Sequence, residues 1–230
     1  MSPSQPKAGP AFIVLEGIDG SGTTTQLVEL ERHLAGRGRR VHATREPTRG
    51  PVGRMLREIL LGQHRNPDGS EVDGRTMALL FAADRRDHLA REIEPALEAG
   101  QDVISDRYVL SSLAYQSEEA AREWVLRLAE GIRTPDLTVL LDVEVEVAAA
   151  RRAAAGRPTE RYDADRFLAR VARAYRALAE ERRDVRVVDG AGSIRAVALR
   201  VAACVDELLD GGPSGPSATP PAPRSARGGS

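Results

Sequence analysis

Residues 12–26 read FIVLEGIDGSGTTTQ, and this stretch decides the fold. FIVL at 12–15 is a short continuous apolar run, as expected of a parallel strand covered on both faces. A glycine-rich turn follows at once. From 24 to 35 apolar residues recur at helical spacing (Leu27, Leu30, Leu34), and Gly36 and Gly38 stop the pattern. Strand, glycine-rich turn and helix, in that order, are the setting a phosphate-binding loop requires. The loop comprises Gly17, Ile18, Asp19, Gly20, Ser21, Gly22, Thr23, Thr24 and Thr25. Its glycines let backbone N–H groups converge on phosphate oxygens, the helix N-terminus adds partial positive charge, and the Thr24 hydroxyl is placed to reach a magnesium ion. Thr23 departs from the pattern, because it stands where the loop demands lysine. The bland alternative is a glycine-rich turn that only starts a helix.

Outward from this unit the same alternation continues. The patterning predicts strands at 41–44, 103–105, 137–142 and 185–188. It predicts helices at 52–61, 75–99 (with Pro95 expected to bend it), 145–155, 164–182 and 193–209. Strands alternating with helices imply an α/β fold with a parallel sheet. Residues 62–74 form a polar connector. Residues 211–230 (GGPSGPSATPPAPRSARGGS) have almost no apolar side chains beyond alanine and proline, which cannot offset the entropy of ordering, so a disordered tail is expected there and a flexible N-terminus at 1–10.

The composition narrows the functional classes. A chain of 230 residues is one domain or at most two, and 33 Lys plus Arg against 34 Asp plus Glu leave a formal net charge of −1. No overall positive field favours nucleic acid or an anionic membrane. Apolar residues make up 41% and aromatic ones 3%, so the core must be aliphatic. The single Cys204 cannot form an internal disulfide, and His33, His42, His64 and His88 show no ligand spacing. No signal-peptide stretch or membrane span is visible, and a cytoplasmic protein is expected. Lys7 is the only lysine; every other basic residue apart from histidine is arginine.

The remaining motifs, in order, are TREP at 44–47, LLFAADRRDH at 79–88, DRYVLSSLAYQ at 106–116, TPDLTVLLDV at 134–143 and RRAAAGRPTERY at 151–162. With the loop, their order and spacing resemble the thymidylate kinases, of the nucleoside monophosphate kinase group of P-loop proteins, over about residues 11–210. Departures are Thr23, Thr48 and Arg49 where glycines are usual, and Ser117 after the AYQ. The resemblance implies a P-loop NTPase fold: one kinase domain at 11–210, a parallel sheet of about five strands flanked by helices, and a small arginine-rich lid at about 151–162. It implies transfer of the γ-phosphoryl group of ATP to dTMP, giving dTDP and ADP for dTTP biosynthesis, with Mg²⁺, and it implies a homodimer. Two other readings remain: a kinase for another pyrimidine monophosphate, and a nucleotide-binding protein impaired by the loss of the loop lysine.

Candidate residues follow from both arguments. Phe81 and Arg85 lie one helical turn apart on one face; the resemblance makes them the stacking platform and the hydrogen-bonding reader of the base. The alternative is a core phenylalanine and a solvated arginine. Asp106 and Arg107 follow a buried strand at its carboxyl end, where ligands of open α/β sheets gather. The planar fork of Arg107 suits the acceptor phosphate, with Arg45 and Arg57 assisting by resemblance. Asp106 would reach the magnesium shell, or else pair with Arg107. By resemblance Tyr115 lies beside the sugar, opposing a 2′-hydroxyl, Gln116 lies near the base, and Asp19 holds the 3′-hydroxyl; the alternative for Asp19 is a helix cap. With no lysine in the body of the chain, Arg151, Arg152, Arg157 and Arg161 are the candidates to supply positive charge against the transferring phosphates. Arg152 and Arg157 are placed as catalytic and Arg151 beside ATP; the alternative is a solvated helix face. Tyr108, Trp124 and Cys204 are expected to pack.

Overall fold

In the computed structural model the described residues are 9–156 and 160–211. All five residues of β1 (Phe12–Glu16) are buried, as a strand covered on both faces requires. The sheet order is β2–β3–β1–β4–β5, with β2 at Val41–Arg45, β3 at Asp102–Asp106, β4 at Leu137–Asp142 and β5 at Val185–Asp189. Every pairing among these strands is parallel. The chain builds one side of β1 with β2 and β3 and then crosses to the other with β4 and β5. Ligands of open α/β sheets bind where such a reversal occurs. The register sets Leu15 beside Asp106 and Glu16 beside Leu140, so β1, β3 and β4 release their loops at one carboxyl edge.

On one face α1 (Thr23–Gly36) and α9 (Ile194–Leu209) cover the sheet. Their Leu27, Leu30, Leu34, Val197, Val201 and Val205 pack on Ile13, Leu15, Ile104, Val139 and Leu141. Each such side chain taken from water is worth about 1.5–3 kcal/mol. The other face carries α2 (Pro51–Leu60), α3 (Gly74–His88), α5 (Val109–Tyr115) and α8 (Asp165–Glu181), with Leu56, Met77, Leu113, Leu168 and Tyr175 in one buried cluster. Pro51 opens α2, where its missing N–H costs nothing. Asp73 caps α3 by accepting from the N–H groups of Arg75 and Thr76 at 2.9 and 3.2 Å.

Strand and helix boundaries agree with the patterning to within one or two residues except between 75 and 136. The helix expected at 75–99 is three segments: α3, a π-helical stretch at Leu89–Ile93, and α4 at Glu94–Glu98. Pro95 has no N–H, and its ring crowds the carbonyl of residue 91, so the ladder changes one turn upstream of the proline. Two short helices lie where none was expected, α5 and α6 (Arg122–Leu128). In α5 six of seven residues are buried, which erases the amphipathic period that betrays a surface helix. The arginine-rich segment begins inside α7 (Val145–Ala154), whose last turn carries Arg151 and Arg152.

Tyr108, Trp124 and Cys204 all pack as expected, Tyr108 edge-on to Phe12 with ring centroids 5.1 Å apart. Residues 62–73 carry no helix or strand, and Gly74 already opens α3. Among the described residues no helix is long and apolar enough to cross a membrane. The expectations for residues 1–8, Arg157 and 212–230 lie outside the described residues.

Candidate functional site

Gly17 to Gly22 connect β1 to α1, whose first residues are Thr23 and Thr24. The N-cap of α1 is Gly22, with φ +102°, a left-handed conformation that glycine adopts without strain. No side chain caps this helix and its first turn holds no acid, so its free N–H groups and positive dipole end open onto the loop. Asp19 is therefore not a helix cap. Gly20, φ +91°, lies against α7: a Cβ there would stand 2.4 Å from the Ala148 carbonyl oxygen. Only glycine allows this approach, which brings the end of α7 over the loop.

That approach delivers two arginines. Arg151 donates to the carbonyls of Ser21 and Gly190, both at 3.0 Å. Arg152 donates to the Asp19 carbonyl at 2.6 Å and pairs with Asp163 and Asp165. A cavity of about 350 Å³ opens here, bounded by the loop, Asp106, Arg107, the two arginines and Ile194. Arg161 is turned elsewhere, bonding the Val72 carbonyl and Glu119. The Thr24 hydroxyl donates to Asp106 Oδ2 at 2.5 Å. Asp106 Oδ1 and Ser21 Oγ are buried with no hydrogen-bond partner. No group of three or more His, Cys, Asp or Glu among the described residues could hold a metal unaided. A hydroxyl, a carboxylate with an unused oxygen and a phosphate loop nonetheless fit Mg²⁺, which takes few protein ligands and completes its shell with phosphate and water.

The acceptor candidates meet the loop at Asp19. Arg107 Nη2 donates to Asp19 Oδ1 at 2.8 Å, and the Tyr115 hydroxyl donates to Oδ2 at 3.1 Å. Arg107 thus pairs with Asp19, while Asp106 takes the Thr24 hydroxyl. Burial and the neighbouring Asp19 carboxylate raise the Tyr115 pKa, so the phenol keeps its proton. Arg85 is 2% exposed, which excludes a solvated arginine. It pairs with Glu46 at 3.2 Å, donates to Ser112 Oγ, and lies 5.5 Å from the Tyr108 ring centroid. Phe81 is partly buried against the cluster that includes Tyr115, and Gln116 is buried. Arg45 is exposed at the end of β2, beside Asp106 in register. Arg57 donates to the carbonyls of Thr48 and Pro47. Burial, and after it the Arg45 charge, push the Arg57 pKa below the usual arginine range, a penalty an anion between them would relieve.

Several polar groups that hold this site were not singled out in the sequence. Glu46 accepts from both Arg85 and His88 Nδ1, each at 3.2 Å. Asp84 accepts from the Thr48 N–H and hydroxyl at 2.8 and 2.6 Å. Glu16, Ser111 and Tyr175 form a further network behind Arg107. Their signal was a charged residue set inside an apolar run or on a buried helix face, where burial without a partner is costly.

A parallel sheet with a glycine-rich loop after its first strand, a Thr–Asp corner beside it and arginines on the acceptor side defines a P-loop phosphotransferase of the nucleoside monophosphate kinase class. The family model for thymidylate kinase matches residues 15–201. A probable thymidylate kinase of Pyrobaculum aerophilum is 42% identical over 200 residues, covering 86% of this chain and 98% of the relative. A thymidylate kinase of Leifsonia xyli subsp. xyli is 44% identical over 203 residues, covering 85% and 94%. A probable thymidylate kinase of Pyrococcus abyssi is 40% identical over 201 residues, covering 87% and 98%. The chain belongs to the thymidylate kinase family, and so to the ATP-dependent nucleoside monophosphate kinases.

Proposed function

We propose that the residues named above carry transfer of the γ-phosphoryl group of ATP to dTMP, with Mg²⁺, as follows. The backbone of residues 17–24 and Arg151 hold the ATP phosphates, with Arg152 reaching toward the γ-phosphoryl group from the end of α7. Thr24 and Asp106 hold Mg²⁺, which neutralises phosphate charge. Arg107, with Arg45 and Arg57, grips the acceptor phosphate. Phe81 stacks on thymine, Arg85 and Gln116 select it, Tyr115 opposes a 2′-hydroxyl, and Asp19 takes the 3′-hydroxyl. Such transfers rest on positioning and charge neutralisation, so this set of donors and arginines needs no protein nucleophile.

The observation that carries the assignment is Asp19. Its carbonyl receives Arg152 from the donor side, while its carboxylate receives Arg107 and Tyr115 from the acceptor side. One loop residue therefore fixes both ends of the transfer path. In this reading a single kinase domain spans 11–210, and Arg157, outside the described residues, stays a candidate beside Arg152 for charge against the γ-phosphoryl group. Met55, Leu79 and Leu126 are exposed on α2, α3 and α6, and α3 packs on both other helices, which supports a homodimer through this face. The absence of an internal disulfide partner for Cys204 supports work in the cytoplasm.

A coupled ADP-release assay with dTMP, dUMP, UMP and CMP as acceptors tests the assignment. Turnover is expected to be highest with dTMP and poorest with the ribonucleotides. Preference for UMP or CMP, or ADP release that ignores the acceptor, would overturn it.

A further inference from the structure

Glu16 is a wholly buried carboxylate that the phosphoryl transfer does not itself use. It is the last residue of β1, directly before the phosphate loop. Four donors converge on it: the Tyr108 and Ser111 N–H groups on Oε1 at 2.9 and 3.1 Å, and the Ser111 and Tyr175 hydroxyls on Oε2 at 2.6 and 2.8 Å. Each hydroxyl has one proton. The two hydroxyls also lie 2.8 Å from each other, and with their protons directed to Glu16 or along that contact their oxygens keep lone pairs for Arg107, whose Nη1 lies 3.1 Å from Ser111 Oγ and 3.3 Å from Tyr175 Oη.

The backbone of Arg107 is held by the same residue. Its φ of +74° is the only positive value for a non-glycine residue among those described. Such a conformation is uncommon outside Gly, Asn and Asp and persists where the surroundings over-determine it. Here the Arg107 N–H donates to the Leu15 carbonyl at 2.9 Å, Ser105 Oγ donates to the Arg107 carbonyl at 2.8 Å, and Glu16 accepts the next N–H, that of Tyr108.

We propose that Glu16 is a positioning residue for the acceptor phosphate: through the Ser111 and Tyr175 hydroxyls it aims the Arg107 guanidinium, and through the Tyr108 N–H it fixes the turn that carries it. The proposal rests on the reading of Arg107 as the group that grips that phosphate. Burial raises the Glu16 pKa, and the Arg107 charge with the Ser111 and Tyr175 hydroxyls opposes that rise, as expected of a carboxylate and a guanidinium that share two bridging oxygens. A purely structural tie between β1 and α8 would need Tyr175 on Glu16 but not within reach of Arg107.

The test measures dTMP binding by calorimetry and steady-state kinetics on the full chain. Tyr175→Phe keeps the ring and removes one bridging hydroxyl; Glu16→Gln removes the charge. Tyr175→Phe is expected to weaken dTMP binding about fivefold, the net effect of one ordinary hydrogen bond, and Glu16→Gln more, with KM for ATP unchanged in both. In an Arg107→Ala background, Tyr175→Phe is expected to weaken dTMP binding no further, because the relay has lost its target. Wild-type dTMP binding in Tyr175→Phe, or full additivity with Arg107→Ala, overturns the relay while leaving the role of Arg107 standing. Wild-type dTMP binding in Arg107→Ala itself overturns the reading of Arg107 and the relay with it. If Glu16→Gln fails to fold, Tyr175→Phe and the double variant decide alone.

Discussion

At the donor end, the loop at 17–24 offers backbone N–H groups and receives two guanidinium groups from the last turn of α7. At the acceptor end Arg85 is buried and Arg107 half-buried, and both are already engaged, by Glu46 and Asp19. The donor arginines rest on loop carbonyls beside an open cavity, with Asp163 and Asp165 as further partners of Arg152. Arg85 and its partner Glu46 sit in the driest setting of all, where a charge stripped of its partner is costly. The same chemical change should therefore act on turnover at one end and on folding and acceptor binding at the other. Under the proposed roles, Arg151 and Arg152 of α7, which bond the loop carbonyls, would bring positive charge to a loop in which Thr23 stands in place of lysine.

The largest expected effect breaks the acceptor end. Arg85→Ala leaves the Glu46 carboxylate buried without its guanidinium partner, which should cost about 3–5 kcal/mol of stability. Urea denaturation checks this, and dTMP affinity should fall while ATP affinity holds. Loss of ATP and dTMP affinity in equal measure would instead mark general destabilisation. Next, Thr24→Ala removes the hydroxyl bonded to Asp106, and kcat should fall by about 10²-fold with a raised Mg²⁺ requirement, while Thr24→Ser restores most of it. A magnesium titration of both variants separates loss of the metal corner from loss of the loop.

Smaller effects sharpen the donor side. Arg152→Ala should cut kcat at least about tenfold with little change in KM, as expected of a contact made chiefly in the transition state. Its melting temperature should fall less than that of Arg85→Ala, because Asp163 and Asp165 stay open to water while Glu46 does not. Wild-type turnover in Arg152→Ala, Arg157→Ala and the double variant would remove α7 and the segment after it from the transfer step. The smallest effect concerns Asp84. Burial raises its pKa above 3.8, against the Thr48 hydrogen bonds, so on acidification the folded state takes up this proton before the unfolded chain does. Its contribution is fully present below 3.8 and is lost as pH rises through the raised value. Asp84→Asn should flatten that part of the stability profile, read from denaturation midpoints across pH.

The strand–loop–helix unit was legible because each of its parts is local. A buried parallel strand needs a continuous apolar run, a left-handed N-cap needs Gly22, and a helix shows its period in Leu27, Leu30 and Leu34. Most other elements of the sheet announced themselves in the same way. The region 75–136 did not, since α5 is buried on nearly every side and the π-helical stretch reflects the backbone's answer to Pro95 rather than a change of pattern.

Residue types at single positions told which groups could do chemistry, but not which would meet. Asp106 could have paired with Arg107; the register of β3 against β1 and the reach of Thr24 gave it the hydroxyl instead. Arg161 and Arg152 read alike in RRAAAGRPTERY, yet one bonds the Val72 carbonyl and Glu119 while the other bonds the loop. The sequence by itself determined the parallel α/β architecture, the phosphate loop and the set of candidate arginines, because periodicity and turn chemistry are encoded over a few neighbouring residues. Only the tertiary structure decided that Glu46 serves Arg85, that Glu16 stands behind Arg107 and that α7 lies over Gly20. Those contacts join residues far apart in the chain, and their energy exists only once packing has excluded water between them.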